Sequence, residues 1–328
     1  MPVEEVSSAS QVLIPAVAAA SMVTIGYLAN RLASGKPLLE YRPRVSVPWP
    51  LTAVLLLQVL TLVNVISALV NMGRATELPS NETFIMSVWS GAFTMSGVAI
   101  ATYFLLNILA GANSSDLGLP SSTRELFADV GLGIVAFFAC ILPVSLLDGL
   151  LHLLVPSETK HPFIEQMLQG DSPGMFAAIA IAATIPAPLF EETAFRLVLQ
   201  GWLEKWEDRL TGFTATLRRH EPMRPEGILE LDSLSSASAD IAAVEVNASP
   251  QRRLVTWLPH GWLPIIVSAT IFGLAHLGHG WAPVSLIPLG LVLGYLYQRT
   301  HRIVPCMTLH AVFNAFSMIR LWLIISEP

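Results

Sequence analysis

The main pattern along the chain is a series of long apolar runs separated by short polar segments. A helix needs about 20 apolar residues to cross the roughly 30 Å hydrocarbon core of a bilayer. Applying that length predicts eight membrane-spanning helices. The seventh is short, so a partly re-entrant segment is the alternative there. They cover residues 11–30, 49–71, 84–110, 129–155, 173–203, 257–277, 282–298 and 303–325. The predicted fold class is therefore all-α, a polytopic membrane protein of about eight helices.

Composition agrees with this pattern and excludes several classes of protein. The 328 residues are 53% hydrophobic and only 13% charged, whereas soluble domains carry about a quarter charged residues. Both cysteines, Cys140 and Cys306, lie in apolar runs and no C-x-x-C occurs, so neither a disulfide framework nor a thiolate zinc site is predicted. Nothing resembles the basic and aromatic pattern of nucleic-acid binding, and we predict no nucleic-acid partner.

The placement of basic residues predicts an orientation. Positively charged loops remain on the cytoplasmic side of a membrane. If the N-terminus lies outside, the inner segments are 31–48, 111–128, 204–256 and 299–302, and they hold fourteen of the 18 Lys and Arg residues, while the outer segments hold two. We therefore predict an integral membrane protein with both termini outside.

One polar segment is much longer than the others. Residues 204–256 are rich in Ser, Ala, Asp and Glu and have too little apolar content for a core of their own, which predicts a flexible cytoplasmic loop. The predicted organisation is a four-span N-terminal part, 1–172, followed by a core, 173–325, which this loop interrupts.

The fifth predicted span contains charges that are costly in a membrane, in the stretch PLFEETAFRLVLQGW at 188–202. Ionisable groups in a span cost a few kcal/mol each and usually face a cavity. Glu192 and Arg196 are four residues apart, so they share a helix face and can pair. Glu191 is offset by about 100°, which leaves its carboxylate available as a general acid or base. The alternative is that all three lie among headgroups at the helix end.

Two later spans also contain polar pairs at helical spacing. Phe272 and His276 are four residues apart, as are His310 and Asn314. Each has an ordinary explanation, a histidine at the membrane interface or a hydrogen-bonded pair between helices. Taken together with Glu191, they predict a polar intramembrane cavity in which a carboxylate and a histidine activate water and a second histidine and an amide hold an oxyanion. The predicted topology places Glu191 and His310 in the inner half, but His276 toward the outer end.

These motifs resemble those of the CPBP family, the CAAX protease and bacteriocin-processing membrane endopeptidases, also called Abi. The matching elements are Glu191-Glu192-x-x-x-Arg196, Phe272-x-x-x-His276 and His310-x-x-x-Asn314, in that order and within 173–325. The resemblance implies that Glu191 activates water with the help of His276, and that Glu192 and Arg196 form a structural pair. It also implies that His310 and Asn314 stabilise the oxyanion and that Phe272 packs beside the site.

Several alternatives stay open at this stage. Glu191, His276 and His310 also match a zinc set of two histidines and one glutamate, so the cofactor is either none or zinc. The implied substrate is a peptide or protein at the membrane, with or without a lipid, and the bilayer is the other partner. A proton-coupled transporter and a non-catalytic scaffold or immunity protein are the alternatives to an endopeptidase.

Overall fold

The fold is a bundle of helices, described here from a computed structural model. The structure describes residues 8–40, 42, 46–74, 80–154, 173–211, 261–277 and 282–325. The first four helices are α1 (Ser8–Ala33), α2 (Leu51–Arg74), α3 (Asn81–Ala110) and α4 (Thr123–Leu154). They are followed by α5 (Pro173–Thr184), α6 (Pro186–Glu192), a π-helix (Thr193–Gln200), α7 (Gly201–Thr211), α8 (Trp262–Leu274), α9 (Ala282–Thr300) and α10 (Val304–Ile325).

Helix length and composition confirm an all-α polytopic membrane protein. Five stretches of the described residues are long and apolar enough to cross a bilayer: Gln11–Ala33, Asn81–Ala110, Thr123–Leu154, Pro173–Leu210 and Val304–Leu323. Shorter apolar helical segments lie at Leu51–Ser67 and Trp262–Leu274. The predicted orientation of the termini and the predicted division at residue 172 stay predictions.

The fifth predicted span is a broken helix rather than one continuous helix. Pro186 and Pro188 cannot donate backbone hydrogen bonds, so α5 ends at Thr184 and α6 restarts with a proline in its first turn. Further along, α7 extends to Thr211, so residues 204–211, the start of the predicted loop, are helical. Glu204 is buried there, and Lys205 donates hydrogen bonds to the Val47 and Trp49 carbonyls. The rest of the predicted loop, 212–256, lies outside the described residues.

The short length of α8 places His276 at the depth of Glu191. The Gly261 amide donates to both carboxylate oxygens of Glu207, at 3.1 and 3.0 Å, so α8 starts beside α7. From Glu207 back to Glu191, and from Gly261 forward to His276, the chain rises about 20–25 Å in each case, at about 1.5 Å per helical residue. The prediction that His276 lies toward the outer end, away from Glu191, is therefore wrong, because the helix is too short to reach that far.

A cluster of charged side chains fixes the start of α10, the helix that bears His310 and Asn314. Arg302 forms ion pairs with Glu125 and with the fully buried Asp129 at the start of α4. The loop before α4 also packs against the start of α10, since the Ile303 amide donates to the Gly118 carbonyl at 3.0 Å. Gly118 has a positive φ of 66°, and a Cβ there would lie 2.9 Å from the Ile303 nitrogen. The α4–α10 contact is thus specified at this end.

The same two helices pack closely further along, and this contact gives the first prediction. A Cβ on Gly133 of α4 would lie 2.6 Å from the Thr308 Cβ and 2.7 Å from the Pro305 carbonyl oxygen, whereas one on Gly131 would meet nothing within 4 Å. We expect Gly133→Ala to lower the free energy of unfolding by about 1–3 kcal/mol, because α10 must shift to admit the methyl group. Thermal unfolding in detergent of Gly133→Ala and its matched control Gly131→Ala checks this, and equal melting temperatures would contradict it.

Candidate active site

The residues singled out in the sequence come together in the middle of the bundle. Glu191 and Glu192 end α6, and Arg196 lies in the π-helix that follows directly. His276 follows the last turn of α8, while His310 lies in the first half of α10. Three separate segments of the chain therefore supply one cluster of ionisable groups.

Glu191 lies between two histidines. Its Oε2 atom is 3.9 Å from Nε2 of His276 and 3.8 Å from Nε2 of His310. The side chains of Glu191 and His276 are 18% and 25% exposed, whereas that of His310 is only 4% exposed. The carboxylate and His276 therefore form the accessible side of the cluster, and His310 forms its buried side.

Glu192 has a partner for each of its carboxylate oxygens. Its Oε2 lies 3.1 Å from Nε of Arg196, and both side chains are completely buried. This is the ion pair that the spacing predicts. Its Oε1 accepts a hydrogen bond from Nδ1 of His310 at 2.8 Å, a contact that the sequence does not reveal. Glu192 thus links the arginine to a residue of the predicted catalytic set.

Arg196 is held from two further directions. Its NH1 group donates to the hydroxyl of Ser268 at 3.0 Å, and that hydroxyl donates to the Phe195 carbonyl at 2.9 Å. The guanidinium carbon lies 4.8 Å from the centre of the Phe272 ring, a cation–π contact that is stronger when desolvated. A buried arginine with these partners supplies a fixed positive charge behind Glu192.

Phe272 separates the groups of the site and orients them. Its ring centroid lies 5.1 Å from that of His276 and 5.6 Å from that of His310. The Phe272 carbonyl also lies 2.9 Å from Nδ1 of His276. A carbonyl only accepts hydrogen bonds, so Nδ1 carries a proton there, and in the neutral ring the Nε2 lone pair faces Glu191. Phe272 therefore defines the tautomer of His276.

Asn314 lies beside the cluster, on the wall of a cavity of about 540 Å³ that His276 also lines. Its Nδ2 group donates to the Ala183 carbonyl at 2.8 Å, which leaves its second amide hydrogen available. The remaining lining is mainly apolar and comes from α3, α5 and α10. It includes Val88, Met95, Ile179, Met318 and Leu321.

The three residues considered as zinc ligands are spaced slightly wider in this structure than a bound zinc ion requires. Zinc bonds of about 2.0–2.1 Å in a tetrahedron require ligand atoms about 3.3–3.4 Å apart, and the two Nε2 atoms lie 3.8 and 3.9 Å from Glu191 Oε2. Across the described part of the chain, no group of three or more His, Cys, Asp or Glu side chains could hold a metal ion. The cluster, as arranged here, is not a closed ligand set.

Comparison with known families relates this geometry to a group of proteins. Residues 247–316 match the family model described as Rce1-like, type II CAAX prenyl endopeptidase. This part of the chain is therefore similar to the CAAX proteases. The matched region includes Phe272, His276, His310 and Asn314, while the glutamate motif precedes it. Comparisons with curated proteins and with solved structures each give no match.

The match supports a membrane endopeptidase of the CAAX type in general, and the geometry shows which residues the motifs leave out. Ser268 contacts Arg196, and it lies four residues before Phe272, so helical spacing alone could have revealed it. Two further residues, Trp49 and Gln58, contact the π-helix from the N-terminal part of the chain. No motif connects them to the site.

Proposed function

We propose that this protein hydrolyses a peptide bond in a membrane-associated peptide or protein by direct attack of an activated water. The observation that supports this most is the convergence of the Glu191 carboxylate with the Nε2 atoms of His276 and His310 beside a cavity. Such a set can accept, hold and return a proton. The match of residues 247–316 to CAAX endopeptidases supports the same reaction class.

Glu191 is proposed as the general base, with His276 as its assistant. A water about 2.8 Å from both Glu191 Oε2 and His276 Nε2 fits between atoms that are 3.9 Å apart. Glu191 takes one proton while the water oxygen attacks the scissile carbonyl carbon. The same carboxyl group then gives that proton to the departing amine nitrogen as the carbon–nitrogen bond breaks.

His310 and Asn314 are proposed to stabilise the negative oxygen of the tetrahedral intermediate. Nδ1 of His310 donates to Glu192, and a carboxylate in that position favours the doubly protonated ring, whose Nε2 then donates to the oxyanion. Two carboxylates then balance two cations, Arg196 and His310, inside the bundle. The free amide hydrogen of Asn314 is the second donor.

The cavity favours an apolar substrate segment. Its lining from α3, α5 and α10 is mainly aliphatic, and it reaches the reactive cluster at His276 and Asn314. An apolar peptide or a prenylated one would lose unfavourable contact with water there. A prenylated substrate is the more specific form of this proposal, since the matched family is described by that activity.

The proposal is tested with purified protein in liposomes. The substrates are a farnesylated CAAX peptide, the same peptide without its lipid, and an apolar membrane-spanning peptide, with products identified by mass spectrometry. We expect the wild type to cleave at least one of them and His276→Ala to cleave it far more slowly. Folded wild type that cleaves none would favour a scaffold or transporter, and equal cleavage by both proteins would refute the assignment of His276.

The proposed mechanism also predicts how the enzyme responds to metal removal. Because the ligand atoms are spread wider than zinc requires, we expect activity on the cleaved peptide to stay within about twofold after exhaustive chelation. Metal analysis of the treated protein is the control. Loss of activity that added zinc restores would contradict this and assign Glu191, His276 and His310 as ligands.

A further inference from the structure

The segment that bears Arg196 is a π-helix, and its sequence does not explain why. All eight of its residues, Thr193–Gln200, are buried. A π-helix is formed by i→i+5 hydrogen bonds, is rare, and is frequently found at functional sites. The segment TAFRLVLQ contains neither proline nor glycine, so no helix-breaking residue accounts for the π geometry.

Side chains from outside the segment donate hydrogen bonds to three of its carbonyls. Nε2 of Gln58 donates to the Ala194 carbonyl at 3.0 Å. The Ser268 hydroxyl donates to the Phe195 carbonyl at 2.9 Å, and Nε1 of Trp49 donates to the Val198 carbonyl at 3.2 Å. We call Trp49, Gln58 and Ser268 the carbonyl clamp. A carbonyl oxygen can accept two hydrogen bonds, so these donors add to the bonds within the π-helix and fix its position against the segments that bear Trp49, Gln58 and Ser268.

The clamp connects to the reactive groups through a continuous buried path. Ser268 contacts Arg196 as well as the Phe195 carbonyl. Arg196 pairs with Glu192, and Glu192 holds Nδ1 of His310. Each link is a direct contact of about 3 Å. A change in the π-helix would therefore shift Glu192 and, through it, the ring of His310.

We propose that Trp49, Gln58 and Ser268 are positioning residues of the catalytic centre, which hold the π-helix so that Glu192 stays between Arg196 and His310. This inference rests on the proposed function. It makes α2 part of the catalytic unit, although α2 lies outside both the motifs and the region that matches the family. None of the three side chains touches Glu191 or His276 in the contacts described above, so they act on the reaction only through the π-helix.

The activity test uses variants in the liposome assay with the farnesylated CAAX peptide. Gln58→Met keeps the length of the side chain and removes its donor, and Ser268→Ala removes the hydroxyl. The matched control is Asn64→Leu, because Asn64 is exposed on the same helix and donates only to the Leu60 carbonyl of that helix. We expect kcat to fall about 10-fold or more in the two clamp variants with KM within about twofold, since small displacements of reacting groups cost this much.

One further variant and a folding control make the result specific. Ser268→Thr retains a hydroxyl and is expected to recover most of the activity that Ser268→Ala loses. Melting temperatures show whether each variant folds. If Ser268→Ala does not fold, Gln58→Met is the decisive variant, because Gln58 is only half-buried. If kcat of folded Gln58→Met equals that of Asn64→Leu, the proposal is overturned.

A second measurement tests positioning without any substrate. In ¹⁵N-histidine-labelled protein, the His310 resonances are identified by their loss in His310→Gln. We expect Gln58→Met and Ser268→Ala to shift the His310 Nδ1 signal and Asn64→Leu to leave it in place, and an unmoved signal in both clamp variants would overturn the proposal. Wild type that cleaves no peptide while the clamp variants shift this signal would refute the proposed function but leave the positioning intact.

Discussion

Glu191→Gln is expected to lower kcat by roughly 10³-fold or more, because the amide is nearly the same size as the carboxylate but cannot take a proton from water. Binding of the substrate should change little, since Glu191 contributes mainly to the chemical step in the proposed mechanism. The measurement is the initial rate of peptide cleavage in liposomes over a range of peptide concentrations, which separates kcat from KM.

The matched control for this substitution is Glu82→Gln. Glu82 is an exposed acid in the first turn of α3, so it loses the same charge without touching the cluster. We expect Glu82→Gln to retain wild-type kcat and both variants to keep the wild-type melting temperature. A Glu191→Gln enzyme that works at a rate within a few-fold of the wild type would refute the assignment of the general base.

Arg196→Met is expected to have the largest effect on stability. The variant leaves Glu192 completely buried with only His310 as a partner and removes the hydrogen bond to Ser268. Breaking a buried pair by removing one partner costs about 3–5 kcal/mol of the free energy of unfolding. Thermal or denaturant unfolding in detergent measures this loss.

Two companion variants define the origin of that loss. Arg124→Met removes an exposed arginine at the start of α4 and should unfold like the wild type. The double variant Glu192→Gln/Arg196→Met removes both charges and should be more stable than Arg196→Met alone, because no uncompensated carboxylate remains. A double variant less stable than Arg196→Met would show that the ion pair is not the main source of the loss.

Two kinds of feature in the site could be predicted from the sequence. One is a pair of groups close together along one helix, and the other is an ionisable residue in a membrane span, where it is energetically unfavourable. The i,i+4 spacing predicted the Glu192–Arg196 pair, and the geometry confirms that contact. Ionisable groups such as Glu191, His276 and His310 are energetically unfavourable in apolar segments, which predicted that they face a common cavity. Their catalytic roles stay predictions, since the distances between these side chains show that they can interact but not what each one does in a reaction.

The sequence could not predict features that depend on contacts between distant segments. Gln58 and the Ala194 carbonyl are 136 positions apart, and nothing in the local pattern of α2 indicates such a bond. The depth of His276 depends on where α8 begins, which Glu207 sets by binding the Gly261 amide. The second partner of Glu192, Nδ1 of His310, likewise lies on another helix, so local spacing assigned the carboxylate to Arg196 alone.

The central claim is that a water held at Glu191 attacks the peptide bond directly, without an acyl-enzyme intermediate. The most direct test is to cleave the peptide in H₂¹⁸O with hydroxylamine present and to examine the new C-terminal fragment by mass spectrometry. The account predicts one ¹⁸O atom in the new carboxyl group and no hydroxamate, because no side chain becomes acylated. A hydroxamate product would show that a side chain, not water, attacks first, and would contradict the account.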